Sequence, residues 1–134
     1  MSFDLDAFLA QMSAPPIHQH LGGQIVEVDQ TDSFRVRLQY SPKAEFANPM
    51  GHLQGGMLCS ILDDAMGLFA IIANEGHPQA TVSMNIAFLR PCLIAPVDVD
   101  VFFVRQGRKF SNIESIASQN GKEVGKASAL FTPV

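Results

Sequence analysis

The sequence predicts an α+β fold in which one curved antiparallel sheet wraps around a single long helix. Three observations lead to this prediction. The predicted elements run in the order two strands, one long helix and four strands; only short turns separate the last four strands; and the helix is apolar nearly all round. A helix of that kind must be covered on most sides, and a curling sheet can cover it within one domain. We therefore expect residues 1–134 to form a single domain.

The N-terminal part predicts a short helix followed by a β-hairpin. Apolar residues recur at near-helical spacing over residues 3–12, with Ser2 as the N-cap, and the sequence Ala14-Pro-Pro ends this helix. Residues 24–29 and 33–40 are predicted strands. The second alternates between apolar and polar side chains, which is typical of an antiparallel pair with one solvated face.

The central helix is predicted over residues 55–74 and is followed by four strands. At 1.5 Å per residue, its length of about 30 Å is enough to span a small sheet. The sequence Glu75-Gly-His-Pro ends it, because glycine and proline follow the last apolar residue. The strands are predicted at residues 80–89, 97–106, 110–118 and 123–132. This order, ββαββββ, arranged around one helix is the hotdog fold.

Composition and charge argue against several classes of protein. With 47% hydrophobic and 16% charged residues the chain is not expected to be disordered, and a formal charge of −4 gives no general attraction to nucleic acid or anionic lipid. The longest apolar run is expected to be too short for a membrane span, and the acidic N-terminus does not resemble a signal peptide. Cys59 and Cys92 are expected to be reduced, buried thiols. We therefore expect a cytoplasmic protein without nucleic-acid or membrane partners.

One face of the predicted helix combines small residues with a carboxylate. Asp63 lies at helical spacing among small residues, whereas bulkier residues form another face that we expect to pack on the sheet. The small residues are Gly56, Ser60, Gly67 and Ala70, and the bulky ones are Leu58, Ile61, Leu62, Ala65, Phe69 and Ile72. A second subunit or a thin ligand could approach along the small face, where Asp63 could act as a general base or a nucleophile. Asp64 lies about 100° around the helix and is expected to be solvated or paired.

The N-terminus of the same helix offers a site for an oxyanion. The N–H groups of Gly55 and Gly56 lack partners within the helix and lie at the positive end of its dipole, so they could polarise a carbonyl oxygen. A structural explanation fits the spacing equally well, since the aspartate could hold loop backbone and the glycines could serve a turn. The residues alone leave both interpretations open.

Two sequence stretches resemble the signature of PaaI-like hotdog acyl-CoA thioesterases. They are Asn48-Pro-Met-Gly-His-Leu-Gln-Gly-Gly with the following Leu62-Asp-Asp-Ala-Met-Gly, and Thr81-Val-Ser-Met-Asn-Ile-Ala-Phe-Leu-Arg-Pro. The resemblance implies hydrolysis of a small or medium acyl-CoA or aryl-CoA, with no cofactor besides the coenzyme A of the substrate. It also implies a homodimer, or a homotetramer built as a dimer of dimers, whose sites combine a loop of one subunit with the aspartate of the other.

The resemblance assigns roles to individual residues. Asp63 matches the catalytic carboxylate, Gly55 the residue whose N–H binds the thioester carbonyl, and Asn48 the residue that places the water or the substrate. Thr81 lies near the position of a hydroxyl that contacts this water. Gln54 departs from the family, which usually has histidine there; glutamine can form hydrogen bonds but cannot titrate.

Further residues are candidates for contacts with the substrate: Gly56, His52, Ser83, Arg90, Arg108 and Lys109. The histidine could compensate for Gln54, and the three cations could bind the phosphates of coenzyme A. A solvated turn explains Arg108 and Lys109 equally well. No metal site is expected, because His18 and His20 have no completing ligands nearby in the sequence.

Two alternatives to hydrolysis remain at this stage. Gln54 in place of histidine favours a non-catalytic protein that binds or senses acyl-CoA. A hotdog dehydratase is the second alternative, but it would need a histidine at the junction of loop and helix for β-elimination.

Overall fold

The computed structural model describes residues 3–11 and 15–134. Its helices are α1 (Leu5–Gln11), α2 (Pro16–His20) and α3 (Gly55–Ala73), and its strands are β1 (Gly23–Asp29), β2 (Arg35–Tyr40), β3 (Gln79–Phe88), β4 (Val97–Arg105), β5 (Ser111–Gln119) and β6 (Lys122–Pro133). The long helix and all six strands begin and end within two residues of the predicted ranges. The predicted N-terminal helix is confirmed as α1, whereas Ser2, Met12 and Ala14 lie outside the described residues.

All six strands form one antiparallel sheet in the order β1-β2-β4-β5-β6-β3, so β1 and β3 are its edges. In β2, Val36 and Leu38 are buried while Arg35 and Arg37 are exposed, as the alternation predicts. The helix α3 contacts β2, β3, β4, β5 and β6. This arrangement confirms the predicted hotdog fold.

The N-terminal turn of α3 lies unusually close to the sheet. Gly125 of β6 faces Leu58, and a Cβ on this glycine would lie 2.9 Å from Leu58 Cδ2. Glycine therefore permits a close approach that a larger residue would prevent. As a consequence the start of the helix is held next to the end of β3, because Phe88 pairs with Gly125 across the two strands.

The small face of α3 is shorter than the sequence predicts. Residues 68–70 are consecutive and all buried, which means that the helix is covered on most sides at this point, and Ala70 is only 1% exposed. Placing Ala70 on the open face was therefore wrong. Gly56 and Asp63 are exposed, and a Cβ on Gly67 would meet no atom within 4 Å. The open strip thus runs along the first two-thirds of the helix and leaves room for another molecule.

By length and composition alone, α3 could cross a membrane, since it has 19 residues and a mean hydropathy of 1.7. The sequence-based expectation that the longest apolar run is too short to span a membrane was therefore wrong as to length and composition. Half of the apolar segment is buried inside the protein. The core helix of a folded domain has these properties, because it is apolar nearly all round and covered by a sheet.

Candidate active site

The N-terminus of α3 carries two backbone N–H groups that have no partner among the described residues. Gln54 is the N-cap: its Oε1 accepts a hydrogen bond from the Met57 N–H at 3.0 Å, and its carbonyl accepts from the N–H groups of Met57 and Leu58. Within residues 3–11 and 15–134, the N–H groups of Gly55 and Gly56 donate no hydrogen bond. They are therefore available to an oxyanion at the positive end of the helix dipole.

The cap formed by Gln54 can be tested by its effect on stability. Gln54→Ala is expected to lower the free energy of unfolding by about 1 kcal/mol, because the Met57 N–H loses its side-chain acceptor. Gln54→Asn is the control, since asparagine also caps helices and should retain most of the stability. Urea denaturation followed by circular dichroism measures both variants. An alanine variant as stable as the native protein would show that the cap contributes nothing.

The loop before α3 forms one wall of a cleft of about 360 Å³. Asn48 Oδ1 accepts hydrogen bonds from the N–H groups of Met50 at 2.9 Å and His52 at 3.1 Å, so this carboxamide oxygen holds the loop in shape. The polar part of the lining comprises Asn48, His52 and Arg90, and the apolar part includes Leu53, Leu58 and Phe88. Three of the predicted site residues therefore share one cleft.

Phe88, the last residue of β3, and Arg90 line the side of this cleft that faces β3. Arg90 Nη1 donates a hydrogen bond to the Glu123 carbonyl at 2.7 Å, which fixes the guanidinium at the rim. The Phe88 ring lies against the start of α3, and a Cβ added to Gly55 would be only 3.3 Å from this ring. Phe88 is not among the site residues that the sequence predicts. Its contact with Gly55 depends on how the strand is placed relative to the helix, for which the sequence holds no local signal.

Asp63 lies farther along α3 and faces a different part of β3. Its Oδ1 accepts a hydrogen bond from Thr81 Oγ1 at 3.2 Å, and the residue is exposed. No described residue donates a hydrogen bond to its second oxygen, Oδ2. Thr81 belongs to an edge strand of the sheet, so the exposed Asp63 lies beside that open edge. One oxygen is thus held in place and the other can accept a proton from water.

Within one chain, Gly55 and Asp63 are too far apart to act on the same carbonyl group. They are just over two helical turns apart, which corresponds to about 12 Å along the axis. Groups that act on one reacting centre must lie within about 3–3.5 Å of it. The sequence places both groups on one helix, but the structure does not bring them together within the chain.

The remaining predicted residues lie in other places. Ser83 lines a shallow depression together with Asn85 and Ser128, away from the cleft that contains Asn48. Arg108 and Lys109 are exposed in the turn between β4 and β5 and do not line the cleft. Gly56 follows Gly55 at the start of α3, where its lack of a side chain leaves room for the Gln54 amide.

Asp64, the neighbour of Asp63, is paired rather than solvated. His18 Nδ1 donates a hydrogen bond to Asp64 Oδ2 at 2.6 Å, and the Tyr40 hydroxyl donates one to the same oxygen at 2.7 Å. The side chains of His18 and Asp64 are each 6% exposed. Burial, together with the nearby charge of Asp64, raises the pKa of Tyr40, so its hydroxyl remains a donor. The sequence predicts that Asp64 is solvated or paired, but it does not identify these partners.

Both cysteines are free thiols, as predicted, although Cys59 is only half-buried. Burial raises the pKa of Cys92 to about 11. Burial and the nearby charge of Asp63 raise the pKa of Cys59. Because the thiolate is the reactive form, neither cysteine is a good nucleophile near neutral pH. Over the described part of the chain, no three His, Cys, Asp or Glu side chains come together as a metal site.

A single sheet around one helix, an exposed carboxylate on that helix and free N–H groups at its N-terminus define the class of hotdog proteins that act on thioesters. A family model described as "Acyl-CoA thioesterase N-terminal domain" matches residues 44–132, which is more than half of the chain. The structure superposes on a phenylacetic acid degradation-related protein of Ralstonia eutropha JMP134 with a TM-score of 0.87 and 29% identity, covering 98% of this chain and 99% of that one.

Two further comparisons agree with this match. The PaaI protein from the phenylacetic acid degradation operon of E. coli has the same fold, with a TM-score of 0.81 and 18% identity over 96% of this chain and 89% of that one. A protein of Saccharolobus solfataricus named "Putative esterase SSO2140" is 29% identical over 103 residues, which are 76% of this chain and 74% of its own. The chain belongs to the acyl-CoA thioesterase family, and it is a PaaI-like hotdog thioesterase, a thioester hydrolase.

Proposed function

We propose that the protein hydrolyses a small or medium acyl-CoA or aryl-CoA at two sites, each built from both subunits of a homodimer. In each site, Gly55 of one subunit binds the thioester carbonyl and Asp63 of the other drives the attack of water. One observation carries this proposal. The free N–H groups and the exposed carboxylate lie far apart along one helix, and each of them lies beside the edge strand β3.

Antiparallel pairing of two β3 strands would bring these separated groups together. Thr81 at one end of β3 binds Asp63, and Phe88 at the other end contacts Gly55. If two copies pair about a two-fold axis near Met84, the Thr81 end of one strand lies opposite the Phe88 end of the other. The open strip of α3 and the unfilled space beside Gly67 leave room for the partner's helix. Such dimers could pair further into tetramers.

Apolar side chains on β3 also support this interface. Val82 is 52% exposed and Phe88 is 56% exposed, and both lie in a strand whose other edge pairs with β6 except at an irregularity at Val82. A long edge strand with exposed apolar residues favours pairing with a second strand, because its outer N–H and C=O groups are unpaired. A second copy of this chain would cover both the backbone and the side chains.

The proposed reaction needs only groups that this chain supplies. The Gly55 N–H stabilises the negative charge that develops on the thioester oxygen. With Oδ1 held by Thr81, Oδ2 of Asp63 accepts a proton from water, whose oxygen forms a bond to the carbonyl carbon. The carbon–sulfur bond then breaks and the sulfur takes up the proton, giving the free acid and coenzyme A. Attack by Asp63 itself through an anhydride is the alternative route to the same products.

The other predicted residues have supporting roles in this proposal. Asn48 and Gln54 flank the thioester, and the Nε2 amide of Gln54 is available because the cap uses only Oε1. Arg90 at the rim of the cleft, together with Arg108 and Lys109, would attract the phosphates of coenzyme A. A general acid is not required at the leaving group, since a thiol has a reference pKa of about 8.5 and leaves readily as the thiolate, which then takes up the proton from Asp63.

The name of one relative and the residues beside Gly55 support a narrower proposal for the acyl group. The Ralstonia eutropha protein is named for phenylacetic acid degradation, and we propose an aryl-acetyl or short acyl group for this chain. The exposed Phe88 ring beside Gly55 would contact such a group at its thioester end.

Release of coenzyme A from a panel of thioesters tests the proposal. Acetyl-, hexanoyl-, benzoyl- and phenylacetyl-CoA are offered, with palmitoyl-CoA as the long-chain comparison, and free thiol is measured with a chromogenic reagent. We expect turnover of at least one short or aromatic thioester and little turnover of palmitoyl-CoA. Calorimetry with the same panel measures binding. Tight binding without release of thiol would contradict the proposal and would favour an acyl-CoA sensor.

A further inference from the structure

We propose that the buried set of His18, Asp64 and Tyr40 positions Asp63 for the reaction. This inference rests on the proposed role of Asp63. The three residues do not touch the substrate cleft, so they would act through the helix as positioning residues.

Asp63 itself has little to restrain it. Its one hydrogen bond within the described chain is the 3.2 Å contact with Thr81, and both residues are exposed. The rotation of α3 about its axis sets the direction of the Asp63 Cα–Cβ bond, and the hydrogen bond from Thr81 then holds the carboxylate at the end of the side chain. Asp64 is the next residue, about 100° around the same helix. Any restraint on Asp64 is passed to Asp63 through one rigid peptide unit.

Asp64 is restrained far more strongly than Asp63. Two short hydrogen bonds reach the same carboxylate oxygen from two other elements, His18 in α2 at 2.6 Å and Tyr40 in β2 at 2.7 Å. Short hydrogen bonds to an ionised carboxylate are roughly twice as strong as neutral ones. The helix is thereby joined to the sheet and to α2 at the position adjacent to Asp63.

The His18 ring packs directly against Gly23, at a position where only glycine leaves enough room. A Cβ on Gly23 would overlap the ring, and Gly23 pairs with Tyr40 across β1 and β2. The ring also contacts Tyr40 edge to face, with centroids 5.7 Å apart. The imidazole is therefore held on two sides by the hairpin and aims Nδ1 at Asp64 on the third.

Stability alone gives no clear reason for this arrangement. Burying a carboxylate costs free energy that its partners only partly recover, and apolar residues of similar size often stabilise a core equally well. Three polar side chains buried beside a catalytic position are better explained by the orientation that hydrogen bonds impose. Apolar packing has no such directional preference.

The helix α2 also reaches the other half of the site. His20, two residues after His18, stacks edge to face on Phe46 with centroids 5.1 Å apart. The carbonyl of Phe46 accepts the N–H of Gln54, the N-cap of α3, at 2.9 Å. One short helix thus braces both the residue beside Asp63 and the loop that leads to Gly55.

The test compares two substitutions of His18, one without and one with a hydrogen-bond donor that can reach Asp64. His18→Leu removes the hydrogen bond to Asp64, whereas His18→Asn keeps an N–H group near the position of Nδ1. We expect His18→Leu to lower kcat by about tenfold with KM changed less than about twofold, because the substrate contacts are untouched. His18→Asn should restore kcat to within about threefold of the native value. Rates are measured at a temperature at which circular dichroism shows every variant to be fully folded.

A control of matched stability separates positioning from general destabilisation. Val101→Ala removes buried volume in β4 opposite Val36, four residues along the strand from the partner of Tyr40, and it is expected to lower Tm while kcat stays native. A His18→Leu variant that loses no more kcat than Val101→Ala would overturn the inference. If His18→Leu does not fold, Tyr40→Phe removes the other donor, and a native kcat in that variant overturns the inference equally. A native kcat in Asp63→Asn would instead contradict the proposed function.

Discussion

Asp63→Asn is expected to lower kcat about a thousandfold while KM and the fold remain unchanged, because general base or nucleophilic catalysis typically contributes 10²–10⁴-fold. Asparagine has the shape of aspartate, and its Oδ1 can still accept the hydrogen bond from Thr81. What it loses is the oxygen that accepts a proton or attacks the carbonyl. Release of coenzyme A from the best thioester of the panel, measured at saturating substrate, gives the result.

The control for this variant is Asp98→Asn, which removes an exposed carboxylate on β4 that accepts a hydrogen bond from Gln39 Nε2 at 3.0 Å. It should keep the native kcat. Hydrolysis in ¹⁸O-water under single-turnover conditions then distinguishes the two routes for Asp63. If Asp63 forms an anhydride and water then attacks the Asp63 carboxyl carbon, the label enters the protein carboxylate in the first turnover, whereas general base catalysis places it in the product acid. Label found in Asp63 therefore demonstrates the anhydride route. Native turnover by Asp63→Asn would show that another group drives the attack.

The fold was predictable from sequence because each element carries its own local signal. Turn residues separate β4, β5 and β6, and the alternation in β2 defines its buried face before any contact is known. Ala70 was placed wrongly because a small residue at helical spacing fits an open face and a crowded core equally well. Only the packing around residues 68–70 distinguishes the two.

The placement of the candidate-site residues was predictable where these residues are near one another in the chain. Gln54, Gly55 and Asp63 lie within one loop and the helix that follows, so their spacing indicates their placement. The partner of Asp64 was not predictable, because His18 lies 46 positions away and meets it only after α2, β2 and α3 have packed. Phe88 was missed for the same reason, since its contact with Gly55 depends on the packing of α3 against β3.

A test of the proposed two-subunit site needs a variant that removes the N–H of Gly55 as an oxyanion donor. Gly55 is the first residue of α3, where proline is favoured and the N–H has no helical partner. Gln54 already has φ −64° and ψ 137°, the extended conformation that a residue before proline prefers. Gly55→Pro should therefore fold and lower kcat about 10²–10³-fold, as loss of one oxyanion donor does. Gly55→Ala keeps the N–H, with a similar contact to Phe88, and serves as the control.

Mixing Gly55→Pro with Asp63→Asn is expected to restore activity that neither variant has alone. In a mixed dimer, the intact Gly55 of one subunit meets the intact Asp63 of the other in one site, and both defects fall in the second site. Random pairing of equal amounts makes half of the dimers mixed, so about a quarter of the native activity should return. Tagging the two variants differently and purifying the mixed dimer should raise this to about half. If each site were built within one chain, both chains of the mixed dimer would carry a defective site and no activity would return. This outcome would contradict the shared site even if each single variant behaves as expected, because single substitutions cannot show which subunit supplies which group.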